Sequence, residues 1–134
     1  MITNKAAASN LLDVRITLAV LWVAWMLSSL NGDTYRLSAS TEPLGASPNL
    51  LLVMSLLLVG SIFMCAVTLM VKSVASRWAN RIVGIFYALI TLAFEGLHLF
   101  VWHSIGYEIV WATAQSVFAL LVVWYAWRWT NTEG

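Results

Sequence analysis

Four mostly apolar segments, at roughly residues 14–33, 49–71, 81–103 and 107–128, constrain this 134-residue chain more than any motif it carries. A bilayer core of about 30 Å takes around 20 such residues per helix. Hydrophobic residues make up 61% of the chain and charged residues only 10%, against roughly a quarter charged in soluble domains. The segments read as four transmembrane helices of a single membrane domain, residues 1–134. The expected fold is all-α, an integral membrane four-helix bundle with the lipid bilayer as its first partner. A net charge of +1 and the absence of basic or acidic runs argue against a nucleic-acid partner and against a polybasic lipid anchor. The single Cys65 rules out an internal disulfide and any Cys-based zinc or iron–sulfur site within one chain. Among Ile62, Phe63, Val67 and Leu69 it reads as a small buried hydrophobe.

The first segment is the weakest, because its uninterrupted apolar stretch from Ile16 to Leu30 is only about 15 residues and includes Thr17, Ser28 and Ser29. A cleaved signal peptide with Lys5 and Arg15 as its positive region competes for it. Asp13 beside Arg15, and the lack of a small-x-small site before Asn31-Gly32-Asp33, favour a retained helix. Connections are expected at 34–48, where Pro43, Gly45, Pro48 and several serines mark a loop, at 72–80, and at the tight turn Ser104 to Tyr107 with Gly106 at its bend. Short connections give an antiparallel, up-down-up-down bundle. Lys5, Arg15, Lys72, Arg77, Arg81 and Arg128 fall at one end and only Arg36 at the other, so the positive-inside rule puts both termini in the cytoplasm. Trp78, Trp124, Tyr125, Trp127 and Trp129 are expected as an interfacial aromatic belt on that side.

The polar residues inside the segments carry the functional argument. Positions three, four and seven apart share a helix face, and on the third helix Tyr87, Thr91, Glu95, His98 and Trp102 form one row, opposite Leu89, Leu92 and Leu99. Ionisable groups are expensive against hydrocarbon, so the row is expected to face other helices or a cavity. On the fourth helix Glu108, Trp111, Ala112, Gln115, Ser116 and Ala119 cluster similarly, with small residues that permit close approach. At 1.5 Å per residue, Glu95 lies about 12 Å below His103, and Gln115 about 10 Å below Glu108. The two fall at one level, where a Gln115 amide can satisfy the Glu95 carboxyl. Leu18, Trp22, Trp25, Ser29 and Asp33 form a matching row on the first helix, and Ser61, Cys65 and Thr68 lie deeper on the second. The expectation is an outward-opening pocket: Asp33, His103, Tyr107 and Glu108 at the mouth, then Glu95, His98 and Gln115, with Trp22, Trp25, Trp102 and Trp111 as walls.

Several chemistries can be weighed on these residues. Glu95-x-x-His98 has the spacing of di-iron carboxylate bundles, which take such a motif from each of two helices and two further glutamates. One motif is present here, and Glu108, Asp33 and a second subunit would have to supply the rest. A b-type haem needs facing axial ligands, and His98 has no histidine at its depth. No metal or other cofactor is therefore favoured, and no Ser, His and acid can be placed together for nucleophilic hydrolysis. A carboxylate among tryptophans suits an organic cation, as in small four-helix drug-efflux proteins, although those carry their acid on the first helix. Three functional readings follow. The first is binding or transport of a small hydrophobic or cationic molecule around Glu95. The second is a membrane enzyme acting on a lipid or quinone with Glu95 and His98 as an acid–base pair. The third is a structural or accessory subunit, in which Glu95, His98 and Gln115 hold the bundle, or a homo-oligomer of it, in register.

The stretches LDVRITLAVLWVAWMLSSLNGD, NRIVGIFYALITL and LLVVWYAWRW, in that order, resemble a family of small bacterial integral membrane proteins known as a domain of unknown function. The resemblance covers about residues 11 to 129, and its most distinctive motifs are Asn31-Gly32-Asp33, ending the first helix, and Trp124-Tyr125-Ala126-Trp127, closing the last. It implies a multi-pass protein of the bacterial inner membrane. Family members carry an acid on the fourth helix where this chain has Gln115, and the histidines of this third helix are not typical of them. The resemblance thus implies that the acid has moved to a neighbouring helix at the same depth, and it brings no substrate, cofactor or catalytic residue. DoxX-like proteins and sterol-isomerase-like bundles are similar in architecture alone.

Overall fold

The computed structural model describes the backbone of residues 2–39, 47–104 and 106–129, and the side chains of all of these but 2–11, 37 and 39. Its four helices are α1 (Ile2–Ala39), α2 (Pro48–Met70), α3 (Ser73–Phe100) and α4 (Tyr107–Arg128). Each holds a stretch long and apolar enough to cross a membrane, the first of them Leu12–Arg36. Among the described residues the regular structure is all helical, and the four apolar helices are those of a membrane protein.

Three boundaries differ from the sequence expectation, each for a local reason. Asn31-Gly32-Asp33 does not end α1, which runs on to Ala39. Thr34 and Ser38 donate their hydroxyls back to the carbonyls of Leu30 and Thr34, each at 2.8 Å, and Gly32 is the point where the Trp111 side chain lies against α1. Much of the expected loop 34–48 is therefore helix at both ends, because Pro48 opens α2 instead of interrupting a loop. Ser47 caps that helix by accepting from the Leu50 amide at 3.3 Å, and proline at the first helical position loses nothing by lacking an N–H. Pro43 and Gly45 lie outside the described residues, as do Ile105 and the side chain of Lys5. The expected loop 72–80 is helical from Ser73 onwards. Its polar residues are there because they face the bundle. At its far end α3 stops at Phe100, three residues short of the expected limit, and His103 takes a left-handed backbone (φ 48°). Gly106, with φ 67° and ψ −123°, then leads into α4 in a conformation only glycine holds without strain.

The helices form a ring in which α1 packs on α2 and α4, and α3 packs closely on α4 but only sparsely on α2. Lipid offers no hydrophobic gain for helix association, so close packing and interhelical hydrogen bonds hold such a ring. The packing is closest along α4, and the hydrogen bonds are concentrated where the end of α2 meets the start of α3. Asn80 is fully buried and accepts from Trp22 Nε1 at 2.7 Å. Its amide donates to Thr68 Oγ1 at 2.9 Å and to the Ser76 carbonyl at 2.8 Å. Arg15 adds bonds to the carbonyls of Thr68 and Val71. At the same end Arg81 donates to the Ala126 carbonyl at 2.9 Å, with the rings of Trp78 and Trp127 at 5.3 and 5.1 Å from its guanidinium. The exposed Trp78, Trp124, Tyr125 and Trp127 have the accessibility of belt residues. Trp129 does not, being buried against the core.

Candidate functional site

Tyr87 divides the interior. It is 4% exposed, donates its hydroxyl to the Leu57 carbonyl at 2.6 Å, and receives the rings of Trp22 and Trp25 edge-on at 4.9 and 4.8 Å. α2 comes close enough for this because residue 60 is glycine. A Cβ there would sit 2.3 Å from the Tyr87 hydroxyl oxygen. On one side of Tyr87 lies the Asn80 network; on the other the helices leave a cavity of about 300 Å³, at the lower end of ligand-sized pockets.

Every helix contributes to the cavity. α1 supplies Trp25, Ser29, Gly32, Asp33 and Arg36, and α2 supplies Leu50, Leu51, Met54 and Leu57. From α3 come Ile90, Thr91, Phe94 and His98, from the turn after it Trp102, and from α4 Glu108, Trp111, Ala112 and Gln115. Helix rise orders these groups. Asp33 and Arg36 stand about 12 to 16 Å from Trp25 along α1, so charge gathers at the mouth while Trp25, Leu57, Thr91 and Gln115 lie deep. Glu108 occupies the first turn of α4, where the helix dipole favours a carboxylate. His98 shares a 2.9 Å hydrogen bond between Nδ1 and Ser104 Oγ, and Trp102 packs edge-on against its ring at 4.8 Å. Trp111 stacks with Tyr35 at 6.0 Å, and Tyr107 approaches Tyr35 at 6.2 Å. Asp33, Arg36, Glu108 and Gln115 make no hydrogen bond to another described residue. Two carboxylates thus face one guanidinium and one imidazole.

Of the residues singled out in the sequence, Trp25, Asp33, His98, Trp102, Glu108, Trp111 and Gln115 line this one cavity, while Glu95, Trp22, His103 and Tyr107 do not. Glu95 is turned towards α4 and accepts from Thr113 Oγ1 at 3.0 Å, not from Gln115. The reason is angular: the helix face that presents Thr91, Phe94 and His98 to the interior leaves position 95 at the α3–α4 seam. Trp22 lies beyond Tyr87, its N–H taken by Asn80. Among the described residues no group of three or more His, Cys, Asp and Glu side chains is placed to hold a metal ion. Asp33 and Glu108 therefore do not complete a carboxylate set with Glu95 and His98.

Arg36 and Asn80 were not anticipated. Arg36 counted only towards orientation, although its position three residues after Asp33 puts it on the same face. Asn80 fell in an expected loop, yet Ser76, Asn80, Gly84, Tyr87 and Thr91 continue the buried row by three- and four-residue steps, a signal present in the sequence. No family model, curated protein or solved structure matches the chain.

Proposed function

We propose that this chain binds or transports a small hydrophobic or cationic molecule in the cavity between Trp25 and the Asp33, Glu108 mouth. The observation that carries this reading is the pair of carboxylates, Asp33 and Glu108, at the rim of an aromatic-walled cavity, where they outnumber the one guanidinium, Arg36, which acts on Asp33. Buried polar groups in membrane helices ordinarily bond one another, as they do around Asn80. A cation between Asp33 and Glu108 gains charge attraction in a medium of low dielectric, and the faces of Trp102 and Trp111 add cation–π attraction.

The setting we propose is the bacterial inner membrane, with the helices antiparallel and both termini cytoplasmic. Arg15, Lys72, Arg77, Arg81 and Arg128 belong to the Asn80 end and Arg36 to the cavity mouth, which supports an outward-facing cavity by the positive-inside rule. The three sequence stretches that resemble the family of unknown function support the same setting.

The test is calorimetric titration of benzyltrimethylammonium into the protein in lipid nanodiscs, before and after the double substitution Asp33→Asn, Glu108→Gln. Affinity should fall at least about tenfold, the equivalent of 1.4 kcal/mol. Unchanged affinity, or no binding by the unsubstituted protein, would refute the cation-binding reading.

A further inference from the structure

We infer that the occupant is a single-chain amphiphile with a cationic head, drawn sideways from the bilayer between α2 and α3. The inference rests on the binding role proposed above and concerns the rest of the ligand. The cavity wall changes character with depth: Asp33, Arg36, His98 and Glu108 are confined to the mouth, and the space below is walled by Met54, Leu57, Ile90 and Phe94 with only the neutral Thr91 and Gln115 among them. A head and a tail are thus matched separately. Along α2 the wall is apolar throughout, from Leu50 to Leu57, a depth of about 10 Å. That depth and a volume of about 300 Å³ suit one alkyl chain of moderate length, not the two chains of a diacyl lipid.

The side from which the chain arrives follows from how α2 is held. The hydrogen bonds that join α2 to α3 run through Tyr87, Asn80 and Ser76, all on the closed side of the partition. Towards the mouth the facing residues are Leu50, Leu51 and Met54 on α2, and Ile90 and Phe94 on α3, which have no polar group to bond across the gap. Leu50 and Leu51 line the cavity and are also 42% and 53% exposed. An alkyl chain sliding past them exchanges one apolar surface for another, whereas one arriving from water would have to pass the charged mouth.

Photolabelling tests this directly. The probe is decyltrimethylammonium carrying a diazirine at the end of its chain, with the protein in phosphatidylglycerol nanodiscs. Adducts that benzyltrimethylammonium suppresses at least fivefold are expected on Met54, Leu57, Ile90 or Phe94. Suppressible adducts confined to the outward-facing Leu52, Leu56 and Leu89 would overturn the inference while leaving head binding intact. Failure of benzyltrimethylammonium to bind at all would instead overturn the underlying reading. Adding phosphatidylethanolamine to the discs should leave the labelling unchanged; a severalfold loss would reject the single-chain occupant in favour of the lipid itself. Met54→Trp, which fills the apolar space, should reduce the suppressible adducts at least fivefold, and undiminished labelling would count against the cavity as the chain's location.

Discussion

The two ends of the bundle are built from the same four helices, and they resolve the problem of polar groups in a membrane differently. At the closed end Trp22, Asn80, Thr68 and Ser76 satisfy one another, and the helices touch. Beyond Tyr87 the side chains of Asp33, Arg36, Glu108 and Gln115 bond no other described residue, and the helices part. The neutral amide, hydroxyl and indole groups of the closed end bond one another; the acids and the guanidinium of the open end do not. The closed end is a structural lock, and the open end is where the proposed ligand would bind.

The largest effect should come from breaking the lock. Asn80→Ala removes the acceptor of a buried indole N–H and the partner of Thr68. Interhelical bonds in membranes average about 0.6 kcal/mol each, but stranding a buried donor adds about 1–3 kcal/mol, so a loss of about 2–3 kcal/mol is expected. Thermal unfolding in detergent measures it. A loss under about 0.5 kcal/mol would mean that the two ends do not differ in the way described.

A smaller effect is expected at the partition. Gly60→Ala brings a Cβ to within 2.3 Å of the Tyr87 hydroxyl, and overpacking of this kind costs about 1–3 kcal/mol. Combining it with Tyr87→Phe removes the opposing atom, so the double variant should recover part of the stability lost by the alanine. The resulting interaction energy is read from a double-mutant cycle. Strictly additive losses would show that Gly60 and Tyr87 are not in contact in the folded protein.

How much of this was legible in sequence differs between the ends for a physical reason. The four spans followed from apolar length alone, and the cavity residues His98, Trp102, Glu108, Trp111 and Gln115 from helix periodicity, which fixes a face to within a residue. Glu95 shows the limit of that resolution. Its position is four residues from Thr91 and three from His98, yet the small rotation between neighbouring positions decides whether a side chain meets a cavity or a seam. Asn80 shows a different limit: its burial is legible in the three- and four-residue row from Ser76 to Thr91, but its partners Trp22 and Thr68 are 58 and 12 residues away. Pairing across helices is a property of the packed ring and has no signature in a single helix.

The smallest effect predicted is also the one that separates seam from cavity most sharply. Glu95 accepts one bond from the exposed Thr113 hydroxyl, and a glutamine oxygen can accept the same bond. Glu95→Gln should therefore change stability by no more than about 0.5 kcal/mol, since the interhelical bond is kept and such bonds average about 0.6 kcal/mol. Its effect on benzyltrimethylammonium affinity should be smaller than that of Glu108→Gln, because the lost charge lies outside the cavity wall and acts only at longer range through the bundle. Titrating the two single variants side by side in nanodiscs decides the matter. A Glu95→Gln variant that binds as poorly as Glu108→Gln, or worse, would return the ligand to the carboxylate at the α3–α4 seam and make the aromatic-walled cavity a packing gap.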